Sequence, residues 1–178
     1  MFDRSKKRVY IKKKRNNVAP ASGDSMKLDA FDKKILMLLQ KNSRITQRDL
    51  SFEINLSASA INRRIAAMEH EGIIKKNTVI VDAHMVGRPI TIITQISLIN
   101  ERLDLLEERK KCFVQCPQVQ QVYYVTGDFD FLLIFNVKTM EEYEQLTHEL
   151  FFTSENIKSF RTIVSMQNAK QELTVVLN

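Results

Sequence analysis

The spacing at which apolar residues recur changes once along this chain, and that change limits the folds available to it. Before Gly72 they recur every three or four positions, as on the buried side of a helix. After Gly87, runs rich in Ile, Val and Thr alternate with helical stretches. A chain of 178 residues can hold two small domains. The pattern predicts a helical domain at 26–76, a linker at 77–87, a mixed domain at 88–170 and a C-terminal tail at 171–178.

Three short helices are predicted in the first domain. They run near 29–41, from Thr46 onward, and near 58–71. Asp29 and Thr46 are suitable N-caps, because their side-chain oxygens can accept hydrogen bonds from the free N–H groups of a first helical turn. Gly72 ends the third helix, since glycine enters the left-handed C-cap conformation without steric cost. Residues 73–81 fit either a wing strand or the connection to the next domain.

The second and third helices predict a helix-turn-helix that binds duplex DNA. An α-helix is about 10–12 Å across and the major groove about 12 Å wide, so the third helix can enter it. Ser59, Asn62 and Arg63 lie away from the apolar stripe, Ser57 lies at the helix N-terminus, and Arg64 lies nearer the edge of the stripe. Arg63 suits guanine, Asn62 suits adenine, and Arg64 suits a backbone phosphate. The alternative is a three-helix bundle used for protein contact.

The second domain predicts the order β-α-β-β-α-β, which is the ferredoxin-like arrangement. The predicted strands are 90–99, 119–126, 130–137 and 157–167, and the predicted helices are 103–114 and 139–151. The fold class is therefore α+β, with an N-terminal winged helix-turn-helix domain and a C-terminal ferredoxin-like domain.

The strand that contains residues 131–135 is apolar at every position, although alternate side chains point to opposite faces of a sheet. Helices can cover only one face of this sheet. The other face needs a second sheet, so we expect a homodimer formed through this domain.

The charge is distributed unevenly along the chain. The net charge of +6 equals that of residues 1–25 alone, which hold 8 Lys/Arg and 2 Asp/Glu. We interpret this segment as a basic, disordered arm that attracts phosphate, unless it is a start-site artefact ahead of Met26. Residues 27–76 carry 10 basic and 6 acidic groups, whereas residues 82–178 carry 9 and 13. A basic N-terminal part followed by an acidic C-terminal part favours a DNA-binding domain joined to one that does not bind DNA.

Several classes of protein are disfavoured by the composition. No apolar run approaches the roughly 18 residues of a membrane span, and the charged N-terminus has no apolar core typical of a secretory signal. Cys112 and Cys116 are too few for a disulfide framework, and the three His residues share no metal-binding spacing. We therefore expect a cytoplasmic protein without a metal or cofactor.

Three stretches of the chain resemble the Lrp/AsnC family of leucine-responsive, or feast/famine, regulators. They are Leu28-Asp29-…-Asp32-…-Ile35-Leu36, Leu56-Ser57-…-Ile61-…-Arg64-Ile65-…-Met68-Glu69-…-Gly72-Ile73-Ile74, and Val125-Thr126-Gly127-Asp128-Phe129-Asp130. The resemblance covers about residues 27–170 in the same order and spacing. Ala58 and Ala60 depart from it, because many members have prolines there, and residues 1–25 have no counterpart.

The resemblance implies a sequence-specific transcription regulator that responds to an amino acid or a related metabolite. It also implies a homodimer that assembles further, often into octamers, with the effector bound between effector domains. Thr126, Gly127, Asp128 and Asp130 would lie in that cleft, although Gly-Asp is also ordinary turn chemistry. Two residues of the last predicted strand, Thr162 and Ser165, would face the same cleft. A siroheme decarboxylase-like enzyme is the alternative, since such enzymes resemble this architecture.

Overall fold

A computed structural model describes residues 26–177, so the predicted basic arm at 1–25 lies outside the described residues. The described chain divides into two compact units. Residues 26–77 and 174–177 belong to the first unit, and residues 78–173 belong to the second. The final residues of the predicted tail are thus part of the helical unit, and the predicted linker from residue 78 onward groups with the second unit.

The first unit contains the three predicted helices. They are α1, Ala30–Lys41; α2, Gln47–Ile54; and α3, Ala58–His70. Asp29 and Thr46 cap the first two helices as predicted, and Ser57 caps the third. The cap of α1 is a full capping box, in which Asp29 and Asp32 each accept the other's backbone N–H. The helix ends are therefore set by local side-chain chemistry.

The turn between α2 and α3 depends on one left-handed residue. Asn55 has φ 62° and is the one residue other than glycine with a positive φ in the described chain. Asparagine tolerates this conformation better than most residues, because its short polar side chain bonds locally. Gly72 ends α3 with a Schellman arrangement, in which the Ile73 N–H donates to the Met68 carbonyl at 2.9 Å.

The core of the first unit lies where the three helices meet. Ile35 comes from α1, Leu50 and Ile54 from α2, and Ile61 and Met68 from α3, and all are at most 3% exposed. Residues 73–81, for which a wing strand and a connection were both open, contain no strand. The structure therefore favours the interpretation of this segment as the connection to the next domain.

The second unit has the predicted ferredoxin-like order and confirms the α+β fold class. Its elements are β1, Ile90–Leu98; α4, Leu103–Gln115; β2, Val119–Tyr124; β3, Phe131–Val137; α5, Met140–Thr147; a π-helical turn, His148–Phe152; and β4, Ile157–Val164. The four strands form one antiparallel sheet in the order β2-β3-β1-β4. The last predicted helix thus ends as a π-helical turn.

Helices cover one face of this sheet. Aromatic rings dominate the core there, and Phe113 of α4 meets Phe131 and Phe151 edge to face at 5.4 and 6.2 Å between centroids. The other face carries Ile93, Leu132 and Ile134, which remain partly exposed within this single chain. From Thr91 onward the burial pattern of β1 alternates between the two faces, as one-sided helix packing requires.

Within residues 26–177, every helix is too short or too polar to cross a lipid bilayer.

Candidate nucleic-acid interface and ligand-binding turn

The N-terminus of α3 carries two exposed serines. The Ser57 hydroxyl oxygen accepts the Ala60 N–H at 3.3 Å and lies 3.1 Å from the Ser59 hydroxyl oxygen. The remaining N–H groups of a first helical turn have no partner within the helix and carry partial positive charge. This end of α3 is therefore suited to an anion such as a phosphate.

One turn further along α3, Asn62 and Arg63 are exposed. Neither side chain makes a hydrogen bond or ion pair with any residue in the part of the chain that the structure describes. The opposite side of α3 is buried at Ile61 and Met68. The structure thus places Ser57, Ser59, Asn62 and Arg63 together on the outer side of the helix.

Arg64, which the sequence suggests for a backbone phosphate, is held by the N-terminal part of α1. Its Nη1 donates to Asp29 Oδ2 at 2.8 Å and to Asp32 Oδ1 at 2.7 Å. Its guanidinium also lies over the Phe31 ring, 5.6 Å from the ring centroid. We therefore leave Arg64 out of the DNA contacts, because its charge is already satisfied by the N-terminus of α1.

These contacts, which we call the Arg64 clasp, join the capping box of α1 to the middle of α3. Asp32 is only 2% exposed, and a buried carboxylate needs an opposite charge. The backbone N–H of Asp32, followed by the Arg64 guanidinium, lowers the pKa of Asp29, while the hydrogen bonds from the two aspartates raise the pKa of Arg64. The acidic first turn of α1 was a visible sequence signal for such a partner, but it does not identify the arginine.

The predicted ligand-binding turn joins β2 to β3. Thr126, Gly127 and Asp128 are exposed, and the Asp128 carboxylate has no hydrogen bond or ion pair among the described residues. Gly127 has φ 135°, and a Cβ built on it would meet no atom within 4 Å. The turn therefore presents an open backbone next to an unpaired carboxylate.

Asp130 has a structural role instead. Its Oδ2 accepts the Leu98 N–H at 2.6 Å, and its own N–H donates to the Ile96 carbonyl at 2.8 Å. The Leu98 contact lies where the pairing of β1 with β4 shifts register between Ser97 and Leu98. Asp130 thus anchors the turn to β1, and one of its carboxylate oxygens is already bonded.

The structure separates Thr162 and Ser165 from this turn within one chain. Thr162 pairs with Thr94 on the helix-covered face, where its hydroxyl bonds the Tyr143 hydroxyl at 2.8 Å. The Ser165 N–H donates to the Thr91 carbonyl, toward the start of β1. At about 3.3 Å per residue, that is roughly 20 Å from Leu98, where the turn is anchored. The sequence did not predict Tyr143 as the partner of Thr162, although a buried tyrosine hydroxyl usually has a hydrogen-bond partner.

Comparison with known proteins agrees with this division of the chain. Residues 28–75 match the winged helix-turn-helix DNA-binding family, and residues 91–175 match the Lrp/AsnC ligand binding domain. The chain is 39% identical over 151 residues to the HTH-type transcriptional regulator y4tD of Sinorhizobium fredii, covering 85% of this chain and 89% of that protein. It is 31% identical over 173 residues to the leucine-responsive regulatory protein of Haemophilus influenzae, covering 97% and 99%.

A solved structure supports the same conclusion. The AsnC family transcriptional regulator from Agrobacterium tumefaciens superposes with a TM-score of 0.78 at 26% identity, covering 84% of this chain and 97% of that one. A helix-turn-helix followed by a ligand-binding domain defines a class of DNA-binding transcription regulators, and this chain is one of them. It belongs to the Lrp/AsnC family, which confirms the resemblance seen in the sequence. Relatives that are named as regulators argue against the siroheme decarboxylase-like alternative.

The Arg64 clasp predicts that Arg64 contributes to the free energy of unfolding, whereas the neighbouring Arg63 does not. Arg64→Ala should lower the free energy of unfolding by about 2–3 kcal/mol, because it leaves the buried Asp32 without its partner while the partly exposed guanidinium limits the loss. Arg63→Ala, the matched control, should stay within about 0.5 kcal/mol. Urea denaturation of both variants measures the difference, and equal losses would contradict the clasp.

The pH dependence of the clasp follows from the lowered pKa of Asp29. A carboxyl with a depressed pKa stabilises the fold above its ordinary range and loses that contribution as the pH falls through the depressed value. The stability gap between the native chain and Arg64→Ala should therefore narrow in acid.

Proposed function

We propose that this regulator reads specific duplex DNA through Ser57, Ser59, Asn62 and Arg63, as a homodimer whose ligand-binding domains take up an amino acid or a related metabolite. The exposed and unpaired outer side of α3 carries the proposal. The Asn62 and Arg63 side chains have no hydrogen bond or ion pair in the described chain, and Ser57 and Ser59 are exposed and bond only within the first turn of α3, whereas its apolar groups and Arg64 are held by α1 and α2.

Each of the four side chains has a distinct proposed contact. Arg63 can form two hydrogen bonds with the O6 and N7 acceptors of guanine, and Asn62 can do so with adenine. Ser57 and Ser59, at the helix N-terminus, suit a backbone phosphate. Arg64 acts indirectly by fixing the position of α3 against α1.

The double variant Asn62→Ala, Arg63→Ala tests the DNA interface. Removing two base contacts should weaken binding to DNA from upstream of the chain's own gene by 10-fold or more, since each good bidentate contact contributes about 1–3 kcal/mol of discrimination. Binding to random duplex should change less, because phosphate contacts remain. Fluorescence anisotropy at fixed salt measures both affinities.

Arg102→Ala is the matched control, because Arg102 is an exposed arginine of the other unit. Its DNA affinity should equal that of the native chain. Unaltered affinity in the double variant, with its thermal stability intact, would remove the outer side of α3 from the DNA interface.

The open face of the sheet supports a homodimer. Ile134, Ile93 and Ile163 lie directly opposite one another on β3, β1 and β4, so they form a continuous apolar row. Leu132 extends the patch by one row, and Thr91 and Asn136 border it with a hydrogen bond of 3.0 Å. A second sheet packed on this face would bury the row. Family members often assemble further into octamers, and we propose the same for this chain.

Ile134→Asp tests the dimer. A carboxylate in the apolar row would be buried without a partner in a sheet–sheet interface, so the variant should be monomeric at micromolar concentration. Light scattering measures the mass. Val114→Asp is the control, because Val114 is exposed on α4. A monomeric native chain, or a dimeric Ile134→Asp, would place the interface elsewhere.

The turn at Thr126–Asp128 supports binding of an amino acid. The unpaired Asp128 carboxylate can hold an α-ammonium group, and the open approach at Gly127 leaves backbone groups available to the ligand. The relative from Haemophilus influenzae is named as leucine-responsive, which points to the same ligand class. A ligand that binds one assembly or spacing of the DNA-binding domains better than another would thereby change the DNA affinity.

A thermal-shift screen with all the common amino acids tests the ligand. A ligand at 100 times its Kd should stabilise the protein by about 2.7 kcal/mol. Asp128→Asn should weaken the binding of that amino acid about 10-fold or more, because it removes the charge that pairs with the ammonium. Glu144→Gln, which neutralises an exposed carboxylate on α5, should leave the shift unchanged. If no amino acid shifts the transition, or if both variants respond alike, the proposed ligand site fails.

A further inference from the structure

The last described residues of the chain return to the helical unit and contact α1. The side-chain amide of Gln40 pairs with both backbone polar groups of Val175. Its Oε1 accepts the Val175 N–H at 2.7 Å, and its Nε2 donates to the Val175 carbonyl at 3.1 Å. A primary amide that satisfies the N–H and the carbonyl of one residue holds an extended segment as a neighbouring strand would.

The same segment adds an apolar contact. Leu177 is partly buried and packs against the core of the three helices, whereas Val176 beside it is 84% exposed. Two independent contacts, one polar and one apolar, thus hold residues 174–177 on the DNA-binding unit. The tail is part of that unit and not a loose extension of the ligand-binding unit.

Because the tail belongs to the first unit, two segments of the chain connect the units. The first connection is at 77–78 and the second is at 173–174. The outgoing chain is held by the ligand-binding unit as far as Asn168, whose Nδ2 donates to Thr91 Oγ1 at 3.2 Å. Only residues 169–173 lie between that contact and the docked tail, and five residues span at most about 18 Å. The second connection, residues 169–173, is therefore a short tether.

We propose that Thr174–Leu177 is a docking segment for the surface of α1 around Gln40, and that it gives the ligand-binding unit a second hold on the DNA-binding unit. Because the Arg64 clasp joins α1 to α3, restraint applied to α1 also restrains the recognition helix. The tether narrows the spacings that the two recognition helices of a dimer can adopt. This last step rests on the proposed function, whereas the docking itself does not.

Hydrogen exchange and carboxypeptidase trimming of the full chain test the docking. Gln40→Ala and Leu177→Ser should each speed exchange at the Val175 N–H and trimming of the C-terminus by about tenfold, because each removes one of the two contacts. Val176→Ser is the matched control and should behave as the native chain does. Native rates as fast as those of Leu177→Ser would overturn the proposal.

A dilution experiment tests whether the tail docks on α1 of its own chain or on that of a second copy. Exchange at Val175 should be independent of protein concentration, because the tail and α1 belong to one chain. Protection that disappears on dilution would assign the tail to a second copy and overturn the proposed tether.

The tether is tested by comparing two DNA duplexes, one with two half-sites and one with a single half-site. Leu177→Ser should lower the affinity for the two-half-site duplex severalfold more than the affinity for the single half-site. The reason is that it removes the restraint on the spacing between the two recognition helices of the dimer and leaves each helix intact. Equal losses on the two duplexes, or no loss on either, would overturn the tether. Absence of DNA binding by the native chain would defeat the proposed function as well as the tether, and the exchange rates would still decide the docking.

Discussion

The burial of one carboxylate, that of Asp32, is the constraint on which the arrangement of the helical unit depends. An ionised group removed from water must be paired, and the one arginine that reaches it here comes from α3. The pairing ties the N-terminus of α1 to the middle of α3, in the orientation that also buries Ile61 and Met68. With Arg64 turned inward, Asn62 and Arg63 point outward. The ion pair and the buried Ile61 and Met68 thus leave exposed the side of α3 that we propose for the DNA interface.

The ligand-binding unit is governed by a different constraint, which is that helices cover one face of a four-stranded sheet and leave the other open. Packing on the covered face uses edge-to-face aromatic contacts and one polar chain, Thr94–Tyr143–Thr162, in which each hydroxyl has a partner. The open face keeps an apolar row that a second copy can bury. The turn between β2 and β3 lies at the edge of this arrangement, anchored by Asp130 and exposed at Gly127 and Asp128. Anchoring and exposure are therefore assigned to different residues of one short segment, the turn for which we propose ligand binding.

Much of the fold could be predicted from local patterns. The period of apolar residues located three helices and then the alternation of strands and helices, and cap residues located helix ends to within one or two positions. The partners of individual side chains are less visible in the sequence. Arg64 has the residue type of a phosphate ligand, and nothing in its local sequence shows that two aspartates 32 and 35 positions earlier hold it. Strand register places Ser165 far from the turn, and Thr162 bonds the Tyr143 hydroxyl on the helix-covered face; both placements depend on the pairing of β4 with β1.

The sequence by itself determined the elements, their order, the two units and the family. These follow from short-range periodicity, from capping chemistry and from stretches of residues that match over most of the chain. Tertiary structure decided which charged side chains are free, on which face of the sheet each strand residue lies, and that the tail returns to α1. The physical reason is that a side chain's role depends on what lies within a few ångströms of it, and those neighbours are brought from distant parts of the chain only by folding.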